Sequence, residues 1–103
     1  IESSNKIKLP HISWNEIIPK KILWSNTILD DIKVNSNMYF VHTFVGNPEN
    51  DKEILSITKY HGVEFCSSIK KDNIYGCQFH PEKSAETGLY IISNFIKICA
   101  KIN

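Results

Sequence analysis

Apolar residues recur with two different periods along this chain, and the change of period divides it into extended and helical parts. Residues 53–60 alternate apolar and polar positions, residues 63–69 alternate less cleanly, and residues 74–79 are nearly continuously apolar. Such runs predict three short strands. Lys70-Lys71-Asp72-Asn73 supplies the turn between the last two, and connections this short make the strands antiparallel neighbours. Upstream, residues 38–45 are rich in β-branched and aromatic side chains and predict another strand, followed by a loop of turn-forming residues at 46–51. Residues 7–12 read as a strand that Pro10 and the run Ser13-Trp14-Asn15 bring to an end in a surface loop. Spacings of three and four among Ile22, Leu23, Trp24, Ile28, Leu29 and Ile32 predict one or two helical turns within residues 20–32, closing over a core. Helical periodicity is clearest over residues 85–102, where Leu89, Ile92, Phe95, Ile96, Cys99 and Ile102 fall on one face. Ser84 stands at the capping position, Glu86 lies in the first turn where negative charge is favoured, and Gly88 weakens that turn only slightly.

A strand that runs through a His-Pro-Glu loop into a helix is an α/β arrangement. It puts His80 at the carboxyl end of the strand, where open α/β sheets keep their sites. The elements are too few to cover a central sheet on both faces, so exposed edges or apolar faces are expected. With 103 residues, 42% hydrophobic and 22% charged, the chain has the size and composition of at most one globular domain. Twelve Lys, with no Arg, against eleven acidic residues leave a net charge of +1, and no basic block interleaves with aromatics. A nucleic-acid footprint is therefore absent, and the lack of Arg argues against a bidentate phosphate clamp. Three cysteines, Cys66, Cys77 and Cys99, make an odd count without CxxC spacing. That fits reduced thiols in the cytoplasm, and neither a disulfide framework nor a zinc site. No apolar run approaches a membrane span, and the first residues lack the zones of a signal peptide. The chain opens on Ile1 instead of Met, which suggests a piece of something longer.

Candidate chemistry centres on His80 and Glu82, two positions apart at the end of an apolar run. Pro81 disfavours the helical region at His80 and holds the chain extended there, and side chains two apart in an extended chain share a face. Glu82 can then lie beside the imidazole. A carboxylate on one ring nitrogen fixes the tautomer and stabilises the imidazolium, as a general base needs when it takes a proton from a thiol or hydroxyl.

The run Gly76-Cys77-Gln78-Phe79-His80-Pro81-Glu82 resembles the signature that closes the catalytic domain of class I, or triad, glutamine amidotransferases. Those enzymes hydrolyse the amide of glutamine with a Cys-His-Glu triad and pass the ammonia to a partner domain. Lys83-Ser84, the run Leu9-Pro10-His11-Ile12-Ser13-Trp14-Asn15 and the run Tyr39-Phe40-Val41-His42-Thr43-Phe44 resemble motifs of the glutaminase branch that serves imidazole glycerol phosphate synthase. The resemblance implies the C-terminal half of such a domain over residues 1–103, with a mixed sheet and a C-terminal helix. It makes His80 the base and Glu82 its orienting carboxylate, and gives the backbone at Thr43 and Phe44 the α-carboxylate of the glutamine substrate. It turns Trp14, Asn15 and Lys83 toward a cyclase subunit, a β/α barrel that receives the ammonia. It implies no cofactor and no metal. Two positions depart from the pattern: Ser13 replaces a usual Gly, which would strain the backbone if a positive φ is needed, and Thr43 replaces Ser.

The family's nucleophile is a Cys in a Gly-x-Cys-x-Gly elbow, and no such run exists here. Cys77 lies three residues before His80, on the opposite face of the strand, Cys66 lies within a strand, and Cys99 lies on the apolar face of the helix. All three read as buried structural thiols. Family order puts the elbow upstream of residue 1, in an N-terminal half that would complete the domain. The expectation is a chain with two of three triad members and no useful glutaminase activity by itself. The alternatives are a paralogue feeding ammonia to sugar or surface-polysaccharide chemistry, and a non-catalytic binding module.

Overall fold

The computed structural model describes residues 11–42 and 50–102. Within them lie five strands and one long helix: β1 (His11–Ile17), β2 (Ser36–His42), β3 (Ile54–Tyr60), β4 (Val63–Lys71), β5 (Ile74–Cys77) and α1 (Ala85–Ile102). The strands form two small sheets, β1-β2 and β3-β4-β5, and every pairing among the described residues is antiparallel. A bridge at Ile18 and Ile57 joins the sheets, each residue donating its N–H to the other's carbonyl at 2.9 and 2.8 Å. The α/β class expected from the sequence is the one found, with the C-terminal helix at Ala85–Ile102.

Four elements follow their sequence patterns. β2 covers the described part of the strand expected at 38–45, whose last residues lie outside the described ones. β3, β4 and β5 form the expected antiparallel series, with the final turn at Asp72 and Asn73.

Two segments differ. Ser13, Trp14 and Asn15 are not a loop but the middle of β1, paired with Phe40, Tyr39 and Met38. Pairing with β2 supplies what local preference did not. Residues 20–32 contain no helix. Their apolar side chains do close the core, with Trp24, Ile28 and Leu29 buried. The backbone turns instead through Asn26 and Asp31 in the left-handed region, at φ 61° and 63°. A local bond serves those turns, the Thr27 hydroxyl donating to the Trp24 carbonyl at 2.6 Å, and a tertiary one ties them to β3, Trp24 Nε1 donating to the Leu55 carbonyl at 2.7 Å. Short polar side chains competing for backbone partners favour turns over a helix.

The core gathers Ile17, Trp24, Leu29, Met38, Phe40, Leu55, Phe65, Phe79 and Ile91 from both sheets and the helix. Phe40 sits between Phe65 and Phe79, meeting each ring edge-on with centroids 5.7 and 5.9 Å away. Helix α1 docks through Ile91 and through Asn94, whose side-chain amide donates to the carbonyls of Ile28 and Asp30 at 2.9 and 3.0 Å. Docking thus uses a face turned from the one the periodicity predicts: Ile91 and Asn94 lie off the predicted face, while Leu89 and Ile96 on it remain 62% and 61% exposed. No helix among the described residues is long and apolar enough to cross a membrane.

Candidate active site

The segment from Gln78 to His80 spans the gap between the two sheets. Gln78 donates its N–H to the Ser67 carbonyl of β4 at 2.8 Å, and His80 donates its N–H to the Tyr39 carbonyl of β2 at 2.9 Å. Between them Phe79 is buried against Phe40. An aromatic anchor one residue upstream and a backbone bond to a strand therefore fix where His80 emerges. Pro81–Lys83 then forms a single 3-10 turn, with His80 extended at φ −105°, as a residue before proline prefers.

His80 Nδ1 lies 3.0 Å from Glu82 Oε2. An ionised carboxylate only accepts, so it selects the tautomer with the proton on Nδ1 and leaves Nε2 as the nitrogen that can exchange a proton. The hydrogen bond from His80 holds the Glu82 carboxyl below the usual carboxylate range. The contact is made within the 3-10 turn, and not along an extended strand as the spacing alone predicts.

Ser84 does not cap α1 with its side chain. Its carbonyl accepts the Gly88 N–H at 3.1 Å and so begins the helix, while its hydroxyl turns inward to His80 and Tyr39. Ala85 follows at φ 55°, a left-handed residue that swings the chain from the turn into the helix. Gly88 packs on the back of the site: a Cβ there would stand 1.8 Å from the Pro81 carbonyl oxygen.

The other residues singled out from the sequence are only partly brought together. Trp14 pairs with Tyr39 across β1 and β2, their ring centroids 5.6 Å apart, and is 49% exposed. The Tyr39 backbone bonds His80, and its ring meets Trp14. Lys83 is exposed on the same 3-10 turn as Glu82. Asn15 is half-buried and alternates to the opposite face of β1 from Trp14, where its Oδ1 accepts the Ser13 hydroxyl at 2.6 Å. Ser13 itself is strand and not left-handed, so the replacement of Gly leaves no backbone strain there. Thr43 and Phe44 lie outside the described residues.

The cysteines are half-buried, and so less enclosed than the sequence suggests. Burial nevertheless pushes the Cys66 thiol from 9.0 up to about 11, against a hydrogen bond to Ser68. Burial and then the charge of Glu82 push Cys77 up to about 12. Both environments oppose the thiolate that nucleophilic attack requires.

The glutamine amidotransferase class-I family matches residues 5–99. Over 93 residues the chain is 50% identical to imidazole glycerol phosphate synthase subunit HisH 1 of Legionella pneumophila, a match covering 88% of this chain and 44% of that protein. Subunit HisH 2 of Methanococcus maripaludis is 47% identical over 94 residues, 91% of this chain and 45% of the relative. Subunit HisH of Methanocaldococcus jannaschii is 47% identical over 91 residues, 88% and 44%. The chain thus spans less than half the length of these curated relatives.

Proposed function

The chain belongs to the class-I glutamine amidotransferase family, and from that membership we propose that it carries the acid–base part of a glutaminase centre releasing ammonia for imidazole glycerol phosphate synthesis, in histidine biosynthesis. The observation that carries this reading is the contact of His80 Nδ1 with Glu82 Oε2 at 3.0 Å, on a turn anchored between two sheets.

In this mechanism His80 Nε2 takes the proton of a cysteine thiol as its sulfur attacks the side-chain carboxamide carbon of glutamine. The same proton passes to the departing nitrogen, the C–N bond breaks, and ammonia leaves behind a thioester. His80 then takes a proton from water as the water attacks the thioester, and returns it to the sulfur as glutamate departs. Glu82 holds the ring in one tautomer and stabilises each imidazolium. The raised pKa values of Cys66 and Cys77 speak against either as the nucleophile, which we assign to a segment of the domain outside these residues. The backbone at Thr43 and Phe44 takes the glutamine α-carboxylate.

A cyclase barrel receiving the ammonia docks on Trp14 and Lys83, both exposed, Lys83 on the His80 turn and Trp14 against the Tyr39 ring of the strand that turn bonds. Asn15 belongs with the strand it orders through Ser13. The compartment is the cytoplasm, where three free cysteines stay reduced.

The test uses the full-length protein bearing this sequence, assembled with its cyclase. His80→Asn abolishes glutamine-dependent turnover and spares turnover with added ammonia, and the 103-residue chain alone makes no glutamate from glutamine. Retained glutaminase activity in the variant removes His80 from its role, and glutamate formed by the chain alone removes the external nucleophile.

A further inference from the structure

We propose that Ser84 is a positioning residue for His80, acting through the backbone by tying it to β2. Ser84 is 1% exposed, and its hydroxyl both donates and accepts: Oγ–H donates to the His80 carbonyl at 2.6 Å, and Oγ accepts the Tyr39 N–H at 3.0 Å. His80 in turn donates its own N–H to the Tyr39 carbonyl at 2.9 Å. In an ordinary antiparallel pair, Tyr39 and His80 would exchange two direct bonds. Here one is direct and the other is relayed through the Ser84 oxygen. The hydroxyl holds strand and turn apart by its own width on that side, which sets how far the imidazole stands from β2.

Without the hydroxyl, the part-buried Tyr39 N–H loses its acceptor and the turn loses its tie to β2 on that side, which frees His80 to move. β2 leads in sequence toward Thr43 and Phe44, the residues proposed to hold substrate. The kinetic consequence rests on the glutaminase reading; the clamp itself does not.

The test is Ser84→Ala in the full-length protein with its cyclase, with glutamine as substrate and rates expressed per folded protein from circular dichroism. A misplaced base lowers kcat by roughly tenfold with KM held within about threefold. As a control, Leu55→Val weakens the core away from the turn and leaves kcat per folded protein unchanged. Independently, amide exchange at Tyr39 and His80 quickens by about tenfold or more while the Ile57 amide, bonded to Ile18, does not move. Overturning results are an unchanged kcat per folded protein, an equal fall in the Leu55 variant, a change confined to KM, or unaltered exchange at Tyr39 and His80. If the unaltered protein makes no glutamate, the glutaminase reading falls, and amide exchange still decides the clamp.

Discussion

A cysteine becomes a nucleophile by losing its proton near neutral pH, and the surroundings of Cys66 and Cys77 work against that loss. In the unfolded chain both thiols ionise near 9.0, whereas in the fold they hold their protons to about 11 and about 12. Between those limits the unfolded state binds fewer protons, so stability falls as pH rises. The contribution is fully present below pH 9 and is lost progressively through pH 11 and beyond. Urea unfolding of the chain at pH 9 and pH 11 is expected to show a falling midpoint, and Cys77→Ala, which has no proton to lose, to show a shallower fall. An identical slope in the variant would mean that Cys77 is not shielded from water. At this scale the legible features were the local ones. His80 and Glu82 are two residues apart, so their meeting could be read from spacing and Pro81. The role of Ser84 could not, because its partner Tyr39 is 45 residues away in sequence and nothing local announces it.

Gly88 shows how an element's logic changes when a second element touches it. By helix propensity alone, replacing it with Ala would stabilise α1 by roughly 1 kcal/mol. In the fold, the first turn of α1 lies directly on the His80–Glu82 turn, and the added methyl would stand 1.8 Å from the Pro81 oxygen and 2.8 Å from its carbon. These are backbone atoms and cannot swing aside as the end of a flexible side chain can. Gly88→Ala is expected to destabilise the chain by about 1–3 kcal/mol, as overpacking does, with the denaturation midpoint as the measurement. A gain in stability would mean that helix and turn are not in contact. The same distinction explains which elements were legible. The strands β3 to β5 and the helix carry their own periodicity and short connections. β1 is a strand because β2 lies beside it, and the spacing of apolar residues at 20–32 comes from turns held locally by Thr27 and across the fold by Trp24 and Asn94, whose partners are distant in sequence.

Across the whole molecule, the apolar surface is larger than this chain covers. Helix α1 buries Ile91 and Asn94 against the sheets and the 24–31 turns, yet Leu89 and Ile96 stay mostly exposed, with Phe95 and Tyr90 about half so. Large apolar side chains left exposed on one helix, Leu89 and Ile96 one heptad apart, mark a surface that something can cover. The curated relatives are more than twice as long as the aligned segment, with 44–45% of their length matched. We take the covering element to be the remaining half of the domain. The double substitution Leu89→Lys with Ile96→Lys separates this from a purely internal role. In the 103-residue chain both sites face water, so the change shifts unfolding free energy by no more than about 0.5 kcal/mol per site. In a protein of the relatives' length the same two charges are driven into an apolar interface without partners, and the loss reaches about 2–5 kcal/mol. Parallel urea titrations of the two proteins make the comparison. Equal losses in both would place the support for Leu89 and Ile96 within this chain, and a negligible loss in both would leave the outer face of α1 without a partner in the domain.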